Sequence, residues 1–173
     1  MNVEYFQQIL AQGENISVEF KECKTALNKD VYETVCAFLN RDGGEILLGV
    51  KNSGEVVGVA PDKIEQIHKE FVTTINNANK LVPPTYLTVE QVIINGFDVL
   101  YVYVPPSSQV HRVNNRIFDR NHDADMDITD NTTLVSQLYI RKQNTYTENR
   151  VYPFVILENH LRSDLIAKAR RLA

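Results

Sequence analysis

The sequence predicts an α+β fold in which a mixed, largely antiparallel sheet carries packed helices. Three observations predict it. Asn95-Gly96 joins two runs of strand character, residues 86–94 and 97–104, and Asn-Gly between apolar runs is the strongest short hairpin signal. Apolar residues recur at helical spacing over 30–40 and 61–75. Adjacent Gly43 and Gly44 separate the first of these helices from a strand-length apolar run, Glu45 to Val50, and paired glycines admit backbone angles that a Cβ forbids.

Taken in order, Val3, Phe6, Ile9 and Leu10 space as a helix over 3–12, with Gly13 after its C-terminus. From Glu14 to Lys21, the apolar Ile16, Val18 and Phe20 alternate with Ser17, Glu19 and Lys21, as in a half-buried strand. Glu19 and Lys21 then share the face opposite the apolar set. Asp30 stands where a helix N-cap is expected, and Val31, Val35, Phe38 and Leu39 form the stripe behind it. Asn52, Ser53 and Gly54 predict a turn that pairs the 45–50 strand with Glu55 to Val57 as a hairpin. Pro61 suits the first turn of the next helix, whose buried face is Ile64, Ile67, His68, Phe71 and Ile75. After strand 97–104, residues 107–133 are polar and rich in Asp, Asn and Arg, and read as a long loop with short extended pieces. Leu138 to Arg141 reads as a last strand. Leu157, Leu161, Leu165, Ile166 and Leu172 give a helical extension over 153–173, following a domain over 1–152.

The 173 residues fit one domain with a terminal appendage. Hydrophobic residues make up 43% and charged residues 23%, ordinary for a chain with a sizeable core. The net charge of −4 and pI of about 5.6 are not the footprint of a strongly basic nucleic-acid binder, so any such contact needs a local cluster. Cys23 and Cys36 form no metal-type spacing, and Cys36 falls on the apolar side of its helix, so a buried reduced thiol is expected there. Met1 to Gln12 lacks the charged and apolar regions of a signal peptide, and no apolar run approaches membrane-spanning length. The expectation is a cytoplasmic protein with no membrane partner.

One ordered set of residues resembles a known family. Glu19-Phe20-Lys21, then Ala37-Phe38 with Asn40, Gly43 and Gly44, an apolar triplet, Gly49-Val50, Gly54 and Gly58, and finally Tyr139-Ile140-Arg141, is similar to the AlbA-like domain of the Schlafen superfamily. The likeness runs over about residues 14–145, most of a domain of ordinary size. It implies a DNA-binding module of the kind found in bacterial transcriptional regulators. It also implies a late strand for Tyr139 to Arg141 and a nucleic-acid face along the nearby loops.

Two sets of residues carry candidate chemistry. Arg112, Arg116 and Arg120 recur every fourth residue, and Arg141, Lys142 and Lys21 complete the phosphate-gripping set. Guanidinium groups suit phosphate because they are planar, always charged and bidentate. Tyr101, Tyr103, Tyr139 and Tyr146 would stack on bases. Against this, Asp119, Asp123, Asp125, Asp127 and Asp130 lie in the same segment and would neutralise the arginines in internal pairs. The resemblance also implies that Glu14 and Glu19 stand where Schlafen endoribonucleases hold Mg or Mn, with a third acid on the hairpin. Here that third position is Asn52, whose neutral carbonyl supplies no charge. The alternative for Glu19 and Lys21 is a same-face ion pair on a solvated strand. The sequence therefore assigns no catalytic residue and no cofactor; Mg or Mn would enter only with the nuclease alternative.

Other motifs assign less. Asp123, Asp125 and Asp127 begin like an EF-hand loop, but Ile128 and Leu134 occupy the sixth and twelfth places. The paired glycines lack a following Gly-Lys-Ser/Thr, so no ATP site is expected. His68 and His160 read as packed or surface histidines. The expected partners are DNA or RNA, with a homodimer or other protein contact as the third alternative.

Overall fold

The computed structural model describes residues 3–143. The helical extension expected over 153–173 lies outside them, as do Tyr146 and His160. Helix α1, Val3–Gln12, ends at Gly13, whose φ of +73° turns the chain as its N–H bonds Ile9 O. Strand β1 is Val18–Lys21, shorter than the expected 14–21. Asn15 breaks the extension, because its side chain accepts from Ser17 N at 2.9 Å in an Asx turn, and Ile16 is left exposed.

Helix α2, Val31–Asn40, follows as expected. Asp30 precedes it, but lies in helical conformation and makes no side-chain cap. Its carboxylate instead accepts from Lys21 Nζ at 3.0 Å. Strand β2 is Gly44–Leu48. The expected hairpin with residues 55–57 is reduced to a turn and one bridge, Val50 to Val56. The physical reason is that both edges of β2 are taken: β1 pairs with it in parallel across the α2 crossover, and a later strand pairs antiparallel.

Helix α3, Ile64–Ile75, starts after a turn over 61–63 rather than at Pro61. It buries Ile67, Phe71 and Ile75, while His68 is exposed rather than part of that face. Strands β3, Leu81–Val82, β4, Val89–Ile94, and β5, Phe97–Val104, follow. The β4–β5 hairpin turns on Asn95 (φ 53°) and Gly96 (φ 82°) as the dipeptide predicts. The sheet order is β1-β2-β5-β4, mixed and mostly antiparallel.

Residues 107–133 contain the short extended pieces expected there. They hold β6, Arg112–Val113, paired with β3, and a hairpin of β7, Phe118–Asn121, and β8, Ala124–Asp127. The expected last strand is part of helix α4, Thr132–Gln143. Its β-prone residues misled because burial has a helical period: Val135, Leu138 and Lys142 turn inward while Tyr139 and Ile140 stay exposed. Asn131 Oδ1 accepts from Leu134 N at 3.1 Å and closes the helix start.

Both faces of the sheet are covered, which explains the unbroken apolar run of β2. Ile46, Leu48, Leu100, Val102 and Val104 pack with Phe38 of α2 and Phe71 of α3. Leu47, Val18, Phe20 and Tyr101 pack with Phe6 and Ile9 of α1. Ile117, Ile128 and Leu138 form a smaller cluster that seats α4. The paired glycines are needed for space as well as rotation. A Cβ on Gly43 would meet Val104 O at 2.6 Å, and one on Gly44 would meet the Phe38 ring at 2.7 Å. Cys36 is a buried free thiol, as expected, and so is Cys23.

Candidate functional site

Two polar networks are built around α2, and they absorb most of the residues that the sequence singled out. The first joins β1 to the β7–β8 hairpin. Alternation along β1 turns Glu19 toward α2 while Val18 and Phe20 face α1. On β7, Phe118 and Arg120 turn inward together, and the register sets Arg120 opposite Asp125 of β8. Arg120 is 0% exposed. Its Nη1 donates to Asp125 Oδ1 at 2.7 Å, and its Nη2 donates to Glu19 Oε2 at 2.6 Å and to Asn15 O at 2.9 Å. Its guanidinium lies 5.0 Å from the centre of the Phe38 ring, a cation–π distance. Asp125 Oδ2 accepts from Thr34 Oγ1 at 2.5 Å.

Lys21 Nζ lies 2.7 Å from Glu19 Oε1 and 3.0 Å from Asp30 Oδ2. The expected Glu19–Lys21 pair is therefore real, but it is buried in a network rather than solvated. Burial works against the charges on Arg120 and Lys21. The carboxylates outweigh it and hold both pKa values above the ordinary range: Asp125 and Glu19 for Arg120, and Glu19 and Asp30 for Lys21.

The second network fastens the C-terminus of α2. Asn40 is wholly buried. Its Nδ2 donates to His111 O at 2.9 Å and Phe118 O at 2.8 Å, and its Oδ1 accepts from His111 N at 2.7 Å. Arg141 Nη2 donates to Asn40 O at 3.1 Å and to Asp119 at 3.0 Å. Lys142 Nζ donates to Leu39 O at 2.8 Å and Arg41 O at 3.1 Å. The basic end of α4 thus satisfies the carbonyls that α2 leaves open. Burial, and then the neighbouring Arg141, push the Lys142 pKa down to about 8. His111 Nδ1 must carry its proton to meet Pro83 O at 2.8 Å, leaving Nε2 to accept from Ser107 Oγ at 2.7 Å. Burial holds this neutral imidazole below its ordinary pKa.

The predicted phosphate-gripping set is therefore divided. Arg120 and Lys142 are enclosed and committed to internal partners. Lys21 and Arg141 are partly buried and bound to carboxylates. Arg112 and Arg116 remain exposed at a two-residue turn, Asn114 (φ 49°) and Asn115 (φ 66°), closed by hydrogen bonds between Val113 and Arg116. Arg116 pairs with Asp127 while its side chain stays 61% exposed. Arg112 donates to Tyr139 Oη at 3.4 Å, and no described carboxylate comes within ion-pair distance of it. Asn114 N donates to Lys80 O at 2.9 Å, which brings exposed Lys80 to the same turn. Among the stacking candidates, Tyr101 is buried with its hydroxyl on Glu45, while Tyr103 and Tyr139 are exposed.

The acidic candidates are also placed. Glu14 Oε1 accepts from Phe20 N at 3.0 Å. Both Glu19 oxygens lie on cations, while Asn52 and Glu55 sit in the exposed 51–55 turn, Glu55 paired with Lys51. No group of three or more His, Cys, Asp or Glu among the described residues is arranged to hold a metal ion, and no described helix is long and apolar enough to cross a membrane. The sequence reading missed the role of Asn40. Its signal was a polar residue four after Cys36 on the buried face of an amphipathic helix.

A family model described as Schlafen, AlbA_2 matches residues 14–148. A stretch of 71 residues is 38% identical to an uncharacterized ATP-binding protein of Ureaplasma parvum serovar 3, covering 39% of this chain and 20% of that relative. This chain thus spans about a fifth of the curated relative it matches. A crystal structure from Corynebacterium diphtheriae superposes with a TM-score of 0.59 at 19% identity, covering 99% of this chain and 38% of the other. That likeness concerns the fold. The N-terminal domain of a RecG-related protein from Nitrosomonas europaea gives a TM-score of 0.47 at 27% identity, covering 61% of this chain and 74% of the other.

Proposed function

This chain belongs to the Schlafen AlbA_2 family, and on that premise we propose that it is a nucleic-acid-binding domain acting on DNA, as a module of a bacterial transcriptional regulator. One observation supports the reading most: Lys80, Arg112 and Arg116 gather at the exposed Asn114–Asn115 turn, with Tyr139 beside Arg112. Residues 3–143 carry thirteen Lys and Arg against nineteen Asp and Glu, so contact confined to a local cluster is the form of binding this charge balance permits. Exposed cations of this kind contact phosphates and give affinity without sequence choice. Glu19 lends nothing to the nuclease alternative, because a metal would have to displace Lys21 and Arg120 from its oxygens.

The test is a titration of the full chain with labelled duplex DNA, and separately with single-stranded RNA, at several salt concentrations. Three phosphate contacts predict a slope of log affinity against log salt of about −2 to −3. Arg112→Ala lowers the slope by about one unit. No binding at low salt, or binding indifferent to Arg112→Ala and Arg116→Ala together, overturns the proposal.

A further inference from the structure

Strand β4 forms one end of the sheet and β1 the other. The outer side of β1 is covered: Arg120 donates to Val18 O, and Glu14 accepts from Phe20 N. The outer side of β4 is not. The two-residue turn at Asn95-Gly96 makes Ile94 and Phe97 the closing hydrogen-bonded pair. By alternation, Val92 and Glu90 also bond to β5, and the main-chain groups of Val89, Gln91 and Ile93 point away from the sheet. No described main-chain group meets them.

Strand edges are ordinarily blunted by a lysine, a proline, a bulge or short length. Strand β4 has none of these: it is six residues in regular register, with Ile93 67% exposed. Its one charge is Glu90. We propose that two copies of this chain associate through antiparallel pairing of β4 with β4, giving one continuous eight-stranded sheet across a twofold axis.

Charge selects the register. Centred on Gln91, the pairing sets Val89 against Ile93 of the partner subunit and Glu90 against Val92 of the partner subunit. All five residues from 89 to 93 pair, and no like charges meet. Centring on Glu90 would set two carboxylates directly opposite one another, which is unfavourable. Centring on Val92 would leave Val89 beyond the facing strands, opposite the partner's turn. The strand is thus self-complementary in the sense that an isologous contact requires. The net charge of −4 on each copy opposes approach, so added salt tightens this association. Salt has the opposite effect on phosphate binding, which keeps the two proposals separable.

The test is sedimentation velocity and light scattering on the full chain up to about 100 µM, a range suited to a modest interface. The expected mass is twice that of one chain. Ile93→Lys places a charge on an already exposed position and is expected to weaken association at least tenfold. Gln91→Cys is expected to give a disulfide-linked dimer on mild oxidation. Directly opposed hydrogen-bonded residues have Cα atoms about 5.5 Å apart, within disulfide reach. Ser136→Cys, on exposed α4, is expected to remain unlinked. A single-chain mass throughout, a dimer indifferent to Ile93→Lys, or a Gln91→Cys chain that links no better than Ser136→Cys overturns the proposal.

Discussion

Arg120 and Glu19, separated by 101 residues of chain, meet at 2.6 Å inside the protein, and the guanidinium is fully enclosed. This contact ties the β7–β8 hairpin to β1 across the face of α2. Two carboxylates serve one guanidinium, and Lys21 balances the second oxygen of Glu19. A buried charge is tolerated only when paired and hydrogen-bonded. Both conditions are met here except at Arg120 Nε, which has no partner among the described residues.

Arg120→Met is therefore expected to destabilise the domain by about 3–5 kcal/mol, because it leaves Asp125 without its cation and Glu19 with Lys21 alone. The midpoint of urea unfolding reports the loss. Adding Glu19→Gln and Asp125→Asn to Arg120→Met is expected to recover a large part of it, since the uncompensated charges are then gone. A triple variant no more stable than Arg120→Met would mean that the guanidinium acts by packing on Phe38 instead.

Asn40→Ala removes three buried hydrogen bonds at once. The amide nitrogen of His111 and the carbonyl of Phe118 lose their side-chain partner, while the carbonyl of His111 keeps only Cys36 Sγ at 3.3 Å. A cost of about 3 kcal/mol is expected, given one to three for each buried group left unsatisfied and some relaxation. Asn40→Asp is expected to cost at least as much. It keeps the acceptor for His111 N but turns a carboxylate oxygen toward two carbonyls. Thermal unfolding followed by circular dichroism separates these variants from the wild type.

These networks explain what could be read from the sequence and what could not. Local signals placed the helices at 3–12 and 31–40, the Asn95-Gly96 hairpin and the paired glycines, because each depends on near neighbours in the chain. The parallel pairing of β1 with β2 was hidden, since it is a contact across the α2 crossover and leaves no local mark. Tyr139 to Arg141 looked like a strand because its residues favour one. Its conformation is set by Leu138 and Lys142, four apart, reaching into the core and the end of α2. The arginine spacing 112, 116, 120 suggested one surface. A hairpin intervenes, so Arg120 points inward while Arg112 and Arg116 stay outside.

His111 supplies an acid-sensitive element. Its ring is neutral in the fold, buried between Pro83 O and Ser107 Oγ, and its pKa lies below the ordinary 6.5. The unfolded chain binds a proton at this residue more readily than the folded chain does. Stability is then lost as pH falls below about 6.5, by up to about 1.4 kcal/mol per unit. Unfolding midpoints at several values from pH 7.5 to 5.5 are expected to fall for the wild type and to stay nearly level for His111→Gln. Equal slopes for both proteins would remove His111 as the cause.

Lys142 produces a slope of the same sign on the alkaline side. Its pKa of about 8 in the fold lies below the ordinary 10.5, through burial and the repulsion of Arg141 and Arg41, only partly offset by Asp42 and Asp119. Between those values the unfolded chain keeps a proton that the folded chain has shed. Unfolding therefore takes up a proton, and raising the pH favours the fold. The gain is expected to be about 1 kcal/mol between pH 8 and pH 9. Beyond that, the buried thiols reverse it: burial pushes Cys23 up to about 11 and Cys36 up to about 12, so the unfolded chain ionises first. The measurement is the difference in unfolding free energy between wild type and Lys142→Met across pH 7 to 9. A difference that rises with pH assigns the effect to Lys142, whereas a constant difference shows that this ammonium keeps its proton through its bonds to Leu39 O and Arg41 O.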